Sequence, residues 1–293
     1  MTRQCPRLAL GLPPATALYG AREQHRIVDL ARAADDAGID TVVHSDHVIM
    51  GERTDRYPFG TFPFPSGSPW LEPLTALAVI AGLRRAPLLA KTAATLDALS
   101  RGRLELGVGT GWQAEEYEAM GVDFERRAQI LDDTVVACRA LWAPGGPAAA
   151  DLTTIGFEGI WCDPKPVQPG GPAVLFSGPL TRRNLRRITE LGDGWIPIMG
   201  EPASGVADGV QRIGEAWALA GRDPADLRVR HTLPVERAPA GGADLDRTLA
   251  GAPALAELGV TEVSVPVAAF VQDPEAALGW VAGLGRRWEG LWT

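Results

Sequence analysis

The strongest constraint on what this chain can fold into lies in residues 88–127, LLAKTAATLDALSRGRLELGVGTGWQAEEYEAMGVDFERR. The stretch reads as a helix, a turn marked by glycine, an apolar strand, a glycine-rich strand end and an acidic helix. A strand flanked by helices must bury both faces, and parallel strands do so as short continuous apolar runs. The rest of the chain repeats the pattern. Strands are expected at 7–12, 39–43, 103–108, 173–177, 194–198, 228–235 and 260–268. Helices are expected at 24–37, 72–82, 87–100, 115–120, 129–142, 181–191, 205–220, 245–258 and 274–291. Strand–helix alternation with right-handed crossovers closes most naturally into an α/β, TIM-type (β/α) barrel, and the 293 residues suit one such domain, 1–293. Eight strands are normal for such a barrel; seven are recognisable. The eighth belongs between the helices at 72–82 and 87–100, where too few residues remain for a strand and two turns. The two helices should then merge into one crossover bent near Pro87.

Two segments break the alternation. Residues 49–71 hold Pro58, Pro63, Pro65, Pro69 and three glycines, so they form a long loop. Such a loop in a compact domain is usually functional. Its aromatic residues, Tyr57, Phe59, Phe62, Phe64 and Trp70, suit a lid over an apolar substrate pocket. Residues 143–171 form a second, Pro- and Gly-rich excursion of insertion type.

Composition excludes several classes. Apolar residues make up 46% of the chain and charged ones 22%, which supports a large core. The net charge of −8, with no block of like charges, argues against nucleic acid and against a polybasic membrane contact. The basic residues are nearly all arginine, a bias that suggests a GC-rich bacterial genome. Cys5, Cys138 and Cys162 share no metal-ligand spacing with His25, His44, His47 or His231, so no metal site is expected and the thiols read as incidental in a reducing cytoplasm. No apolar run approaches the ~18 residues of a membrane span.

With these residues in hand, the chain resembles the luciferase-like monooxygenase superfamily, in particular its coenzyme F420-dependent oxidoreductases. The resemblance is carried by GIDTVVHSDHV (38–48), YPFGTFPFPSGSPWLEPLTALAVIAG (57–82), APLLAKTAATLDALSRGRLELGVGTGW (86–112), GFEGIWCDPKPVQPG (156–170) and LRRITELGDGW (185–195). It implies a barrel whose C-terminal mouth holds F420 or FMN, and a homodimer. By the same resemblance, Asp46 and His47 lie near the reactive ring, and His47 handles the proton. Gly107, Gly109, Thr110, Gly111 and Trp112 approach the ring, and Gly178 and Thr181 meet the phosphate. The physics is compatible: alternate glycines let a planar ring approach the backbone, and a helix starting near Thr181 offers N–H groups to an anion.

Two departures fall on that site. The family's third strand, which presses against the ring, is lacking. The Gly-Gly after the next strand but one is here Gly178-Pro179, and proline has no N–H to give. Asp46 also suits a helix cap, Trp112 a pocket wall, and Glu115 and Glu116 the favourable end of a helix dipole. Asp193, Gly194 and Trp195 read as a turn into a strand, and Trp280, Trp288 and Trp292 as helix packing. Three functions remain open. One is a flavin- or F420-dependent oxidoreductase acting on an apolar substrate. The second is a cofactor-independent enzyme of specialised biosynthesis, such as a cyclase or isomerase. The third is an inert ligand-binding or subunit-partner relative.

Overall fold

The computed structural model describes residues 5–12, 18–19, 23–44, 47, 49–62, 64 and 85–293. In chain order, β1 (Arg7–Gly11) leads to α1 (Ile27–Asp36) and β2 (Thr41–Val43). Then come α2 (Ala86–Ser100), β3 (Glu105–Val108), α3 (Ala114–Ala119) and α4 (Arg127–Trp142). A ribbon of β4 (Ala148–Asp151) and β5 (Gly156–Ile160) precedes β6 (Ala173–Ser177), α5 (Arg182–Glu190), β7 (Gly194–Ile196), α6 (Ala203–Leu219) and β8 (Arg228–Thr232). The chain closes with α7 (Leu245–Leu249), α8 (Ala252–Glu257), β9 (Glu262–Pro266), α9 (Val267–Phe270) and α10 (Ala277–Trp292).

All seven expected strands are present. Three expectations need correction. The helix expected at 245–258 is two, parted at Ala250 and Gly251. The strand expected to reach residue 268 ends at Pro266 and turns into α9. The excursion at 143–171 contains the antiparallel β4–β5 pair. The helix expected at 72–82 and most of the gap before Pro87 lie outside the described residues; Arg85 is extended and α2 begins at Ala86.

The described chain divides into two compact units. The first takes in 1–45, 67–77 and 197–293, the second 46–66 and 78–196. In the first unit β2, β1, β9 and β8 pair in that order, all parallel. Helix α10 packs on α1 so closely that a Cβ on Gly285 would lie 2.2 Å from the Ala37 carbonyl oxygen. Near the strand starts the buried Glu262 carboxylate collects Arg230 Nε, the Thr41 hydroxyl at 2.9 Å and Arg7 Nη1 at 3.2 Å. A buried carboxylate persists only when paired in this way.

In the second unit β3, β6 and β7 are parallel and in register, with the Val174, Leu175 and Phe176 side chains buried. Helices α2 and α4 pack together, and the Trp142 indole N–H donates to the Ala90 carbonyl at 2.9 Å. Arg187 and Arg183 on α5 grip Asp132 on α4. The excursion is stapled at its return. Fully buried Asp97 accepts from the backbone N–H of Val167 at 2.7 Å and of Gln168 at 3.1 Å, and from the Gln168 amide at 2.7 Å. The Asp193 carboxylate accepts from Val174 N–H and pairs with Arg139, the structural role expected of that turn. Trp288 is buried against Trp292, and Trp280 stacks on Phe270, as helix packing requires.

Candidate active site

Several of the residues singled out from the sequence, His47, Tyr57, Phe59, Phe62, Phe64 and Trp112, lie together in the second unit near the end of β3. Beyond Val108 the backbone of Gly109, Thr110, Gly111 and Trp112 is only half-buried before α3 begins. Gly111 has φ +67°, a left-handed conformation that favours glycine. Buried Tyr117 supports this turn from below: its ring lies 3.3 Å from where a Gly111 Cβ would be, and its hydroxyl donates to the Thr110 carbonyl. Burial, and secondarily Glu116, pushes the Tyr117 phenol up to about 12, so it remains a donor at neutral pH. Gly107 and Gly109 face neighbouring strands. A Cβ on Gly107 would lie 3.1 Å from Ile196 Cδ1, so that glycine makes room for a side chain of β7. Residues 109–112 are the half-buried stretch of this strand end, with Gly109 backing onto Ser177 and Gly111 onto Tyr117.

His47 lies beside this turn, its side chain 11% exposed and its Nδ1 3.4 Å from Glu116 Oε2. Its ring makes edge contacts with Phe62 at 6.1 Å and Trp112 at 6.3 Å. Tyr57 in turn meets Phe62 and Trp112, each at 5.2 Å, and Phe59 at 5.5 Å, while Phe64 meets Phe62 at 6.0 Å. Burial alone raises the Tyr57 phenol. Phe59 is exposed at the rim. The aromatic residues of the loop thus reach His47 through Phe62 and Trp112, in a half-buried cluster of rings. Asp46 and Trp70 lie outside the described residues.

The first turn of α3 supplies three further residues that sequence reasoning missed as site elements. Gln113 is buried and clamps Gly51 twice, accepting its N–H at 3.0 Å and donating to its carbonyl at 3.1 Å. Glu115 pairs with Arg56 at 3.4 Å. Glu116, read from sequence as a carboxylate placed for the helix dipole, is 2% exposed and faces His47 and the backbone N–H of Ile49. Its partners stand 69 and 67 residues away in sequence, so no local pattern announces it. The loop meets this turn without spare room: a Cβ on Gly51 would lie 2.8 Å from Glu115 Cβ. Gly51→Ala should therefore lift the loop, and trypsin should cut at Arg53 and Arg56 several-fold faster than in the unaltered protein. Equal cleavage rates would show that the loop is not held at this point.

The start of α5 is partly closed to an anion. Gly178 has φ +113°, and its N–H already donates to the Ile196 carbonyl at 3.0 Å. The Thr181 N–H donates to Pro179 O at 2.8 Å, and the Thr181 hydroxyl caps Asn184 N–H at 3.2 Å. Thr181 is thus the N-cap that its sequence position suggests. The first-turn N–H groups of Arg182 and Arg183 and the Thr181 hydroxyl proton are among the donors this helix end offers an anion. A phosphate fits this helix end with fewer donors than the sequence resemblance implied.

Other features bear on what the chain can hold. Among the described residues no group of three His, Cys, Asp or Glu is placed to hold a metal ion, and no helix is long and apolar enough to cross a membrane. Cys138 is buried, its thiol pushed up to about 12 chiefly by burial.

Comparison with known proteins now fixes the lineage. The family model of the luciferase-like monooxygenases matches residues 9–237. An uncharacterized protein of Mycobacterium tuberculosis is 36% identical over 212 residues, covering 66% of this chain and 74% of that protein. Three solved structures share the fold. The monooxygenase RslO1 from Streptomyces bottropensis has a TM-score of 0.80 at 17% identity, covering 98% of this chain and all of the other. An F420-dependent secondary alcohol dehydrogenase in complex with an F420–acetone adduct gives 0.73 at 14%, over 96% and 98%. Riboflavin lyase, with modified FMN and riboflavin, gives 0.63 at 20%, over 80% and 64%. The match over residues 9–237 and the seven parallel strands make this chain a TIM-type barrel protein of the luciferase-like monooxygenase family.

Proposed function

We propose that this protein is an oxidoreductase moving a hydride between F420, with FMN as the alternative, and an apolar small molecule. The observation that carries the reading is the joining of His47, buried Glu116 and the Tyr57, Phe62 and Trp112 rings beside the half-buried turn at 109–112. A bound F420 or FMN supplies hydride chemistry that no side chain offers. The protein's part is binding, exclusion of water and proton handling. Gly109, Thr110, Gly111 and Trp112 line the place of the ring. Thr181 and the N–H groups of Arg182 and Arg183 hold the phosphate. Tyr57, Phe59, Phe62 and Phe64 form the apolar wall against the substrate, with Trp70 assigned to it by sequence. His47 gives or takes the proton that accompanies hydride transfer, and Asp46 is its assigned neighbour. The reading takes residues 1–293 as one catalytic barrel with 49–71 as its lid, acting as a cytoplasmic homodimer.

Titration of the purified protein with F420 and with FMN, followed by visible absorbance, tests this directly. Saturable binding of either is expected; binding of neither would sink the reading. One observation favours a second reading, in which the barrel mouth catalyses a non-redox cyclisation or isomerisation without cofactor: Pro179 has no N–H, that of Gly178 is spent on the Ile196 carbonyl of β7 and that of Thr181 on the Pro179 carbonyl. Orientation of an apolar substrate in a dry pocket can supply much of such a rate. A colourless protein that binds neither cofactor yet converts an apolar substrate is its signature.

A further inference from the structure

We infer that Tyr117 is a positioning residue that turns the Thr110–Gly111 peptide so that the Gly111 N–H stands ready to donate a hydrogen bond to an acceptor atom on the edge of a bound planar ring; the inference rests on the reading of 109–112 as the place of that ring. The geometry gives the reason. The Tyr117 hydroxyl donates to the Thr110 carbonyl. In a trans peptide the carbonyl and the following N–H point in opposite directions. A carbonyl drawn inward to the fully buried Tyr117 therefore sends the Gly111 N–H the other way, out of the half-buried turn. The place of a Gly111 Cβ lies on the carbonyl's side, 3.3 Å from Tyr117 Cε2 and 3.4 Å from its hydroxyl oxygen. At φ +67° this too sets the N–H on the side away from Tyr117.

Among the described residues no acceptor meets the Gly111 N–H. A backbone N–H is a strong donor that calls for a partner once water is displaced from it. The next residue, Trp112, carries its ring into the cluster with His47, Tyr57 and Phe62, so the donor stands one residue from the aromatic wall. Tyr117 is held where it is. Its ring meets Phe124 edge-on at 5.3 Å, and the Arg127 guanidinium lies 3.8 Å over the face of Phe124. Deazaflavin and flavin rings carry carbonyl oxygens and ring nitrogens along one edge, and such atoms accept hydrogen bonds. A donor aimed before the ligand arrives has no ordering cost left to meet on binding. Gly111 thus serves twice, by lacking a side chain and by presenting its N–H.

Residues 110–111 are the one Thr-Gly step in the sequence. Protein labelled with 13C′-threonine and 15N-glycine therefore gives a single HNCO signal, which reports the Thr110 carbonyl and the Gly111 amide together. Without ligand, the Gly111 amide should exchange with water as fast as an unbonded amide. In Tyr117→Phe, which keeps the ring and removes the hydroxyl, the Thr110 carbonyl should move upfield. With F420 or FMN at saturation the Gly111 proton should move downfield and its exchange should slow. Tyr117→Phe should bind that cofactor about 2- to 12-fold more weakly, the effect of one hydrogen bond. Slow Gly111 exchange in the ligand-free protein, an unmoved Thr110 carbonyl in Tyr117→Phe, or a Gly111 amide unchanged by a bound cofactor overturns the inference. A merely structural role would lower the melting midpoint of Tyr117→Phe and leave the Gly111 response to ligand as it is in the unaltered protein. If Tyr117→Phe does not fold, the Thr110 carbonyl of the unaltered protein decides, downfield if the hydroxyl is bonded to it and at the value of an unbonded threonine if not. Binding of neither cofactor defeats the redox reading, and the ligand-free spectra then decide the orientation of the peptide alone.

Discussion

Replacing His47 by alanine should lower turnover by about 10²–10⁴-fold, the range for losing a positioned acid or base, while the fold survives. The stability cost is bounded by what the ring touches. Edge contacts such as those to Phe62 and Trp112 contribute about 0.5–1.5 kcal/mol each. A loss of one to two such contacts moves the melting midpoint of a chain this size by only a few degrees, roughly 2–4 °C per kcal/mol. Kinetics and thermal melts on one preparation therefore separate the two effects. Full activity in His47→Ala would mean that the reaction rests on the shape of the aromatic pocket and on other groups there.

The largest stability effect should come from the other unit, far in sequence from these residues. Arg230→Ala leaves Glu262, only 4% exposed, without its closest cation. Removing one partner of a buried pair costs about 3–5 kcal/mol. Arg7 at 3.2 Å and the Thr41 hydroxyl at 2.9 Å remain on the carboxylate, but Arg7 is 44% exposed and its charge is screened. The loss should therefore fall toward the lower end of that range, still enough to move the urea midpoint clearly. Arg230→Met combined with Glu262→Leu removes both charges, and should recover most of the loss or exceed the unaltered protein. If the double variant is as unstable as the single one, the cost lies in packing around Arg230 and not in the stranded carboxylate.

The strands were legible because a parallel strand covered by helices on both faces has to be a short apolar run, as in AVLFS. Residues 173–177 are an example, with four of five side chains buried. The β4–β5 ribbon was not legible. Its Ala148, Ala149, Ala150, Gly156 and Gly159 have weak strand preference, and its turn is held from outside the excursion by Asp133, which accepts from the Thr154 N–H and hydroxyl at 2.6 Å. In the candidate site, His47, Trp112 and the aromatic loop could be chosen by residue type and position. Glu116 and Gln113 could not, since a carboxylate and an amide at the start of a helix already have an ordinary local explanation. The turn before α5 was half-read: the missing N–H at Pro179 shows in the sequence, whereas the engagement of the Gly178 and Thr181 N–H groups depends on how the chain folds back.

The anchoring of the aromatic loop has an evolutionary side. Helix α3 recognises the loop largely through main-chain atoms: the N–H of Ile49 and the N–H and carbonyl of Gly51. Backbone recognition is indifferent to side-chain identity, except that a side chain at Gly51 would collide with Glu115. The residues beyond that anchor can consequently drift, lengthen or be exchanged while the docking face on α3 stays as it is. Such a loop behaves as a replaceable cassette, in which the segment between Gly51 and Phe64 can be exchanged while its docking on α3 is kept.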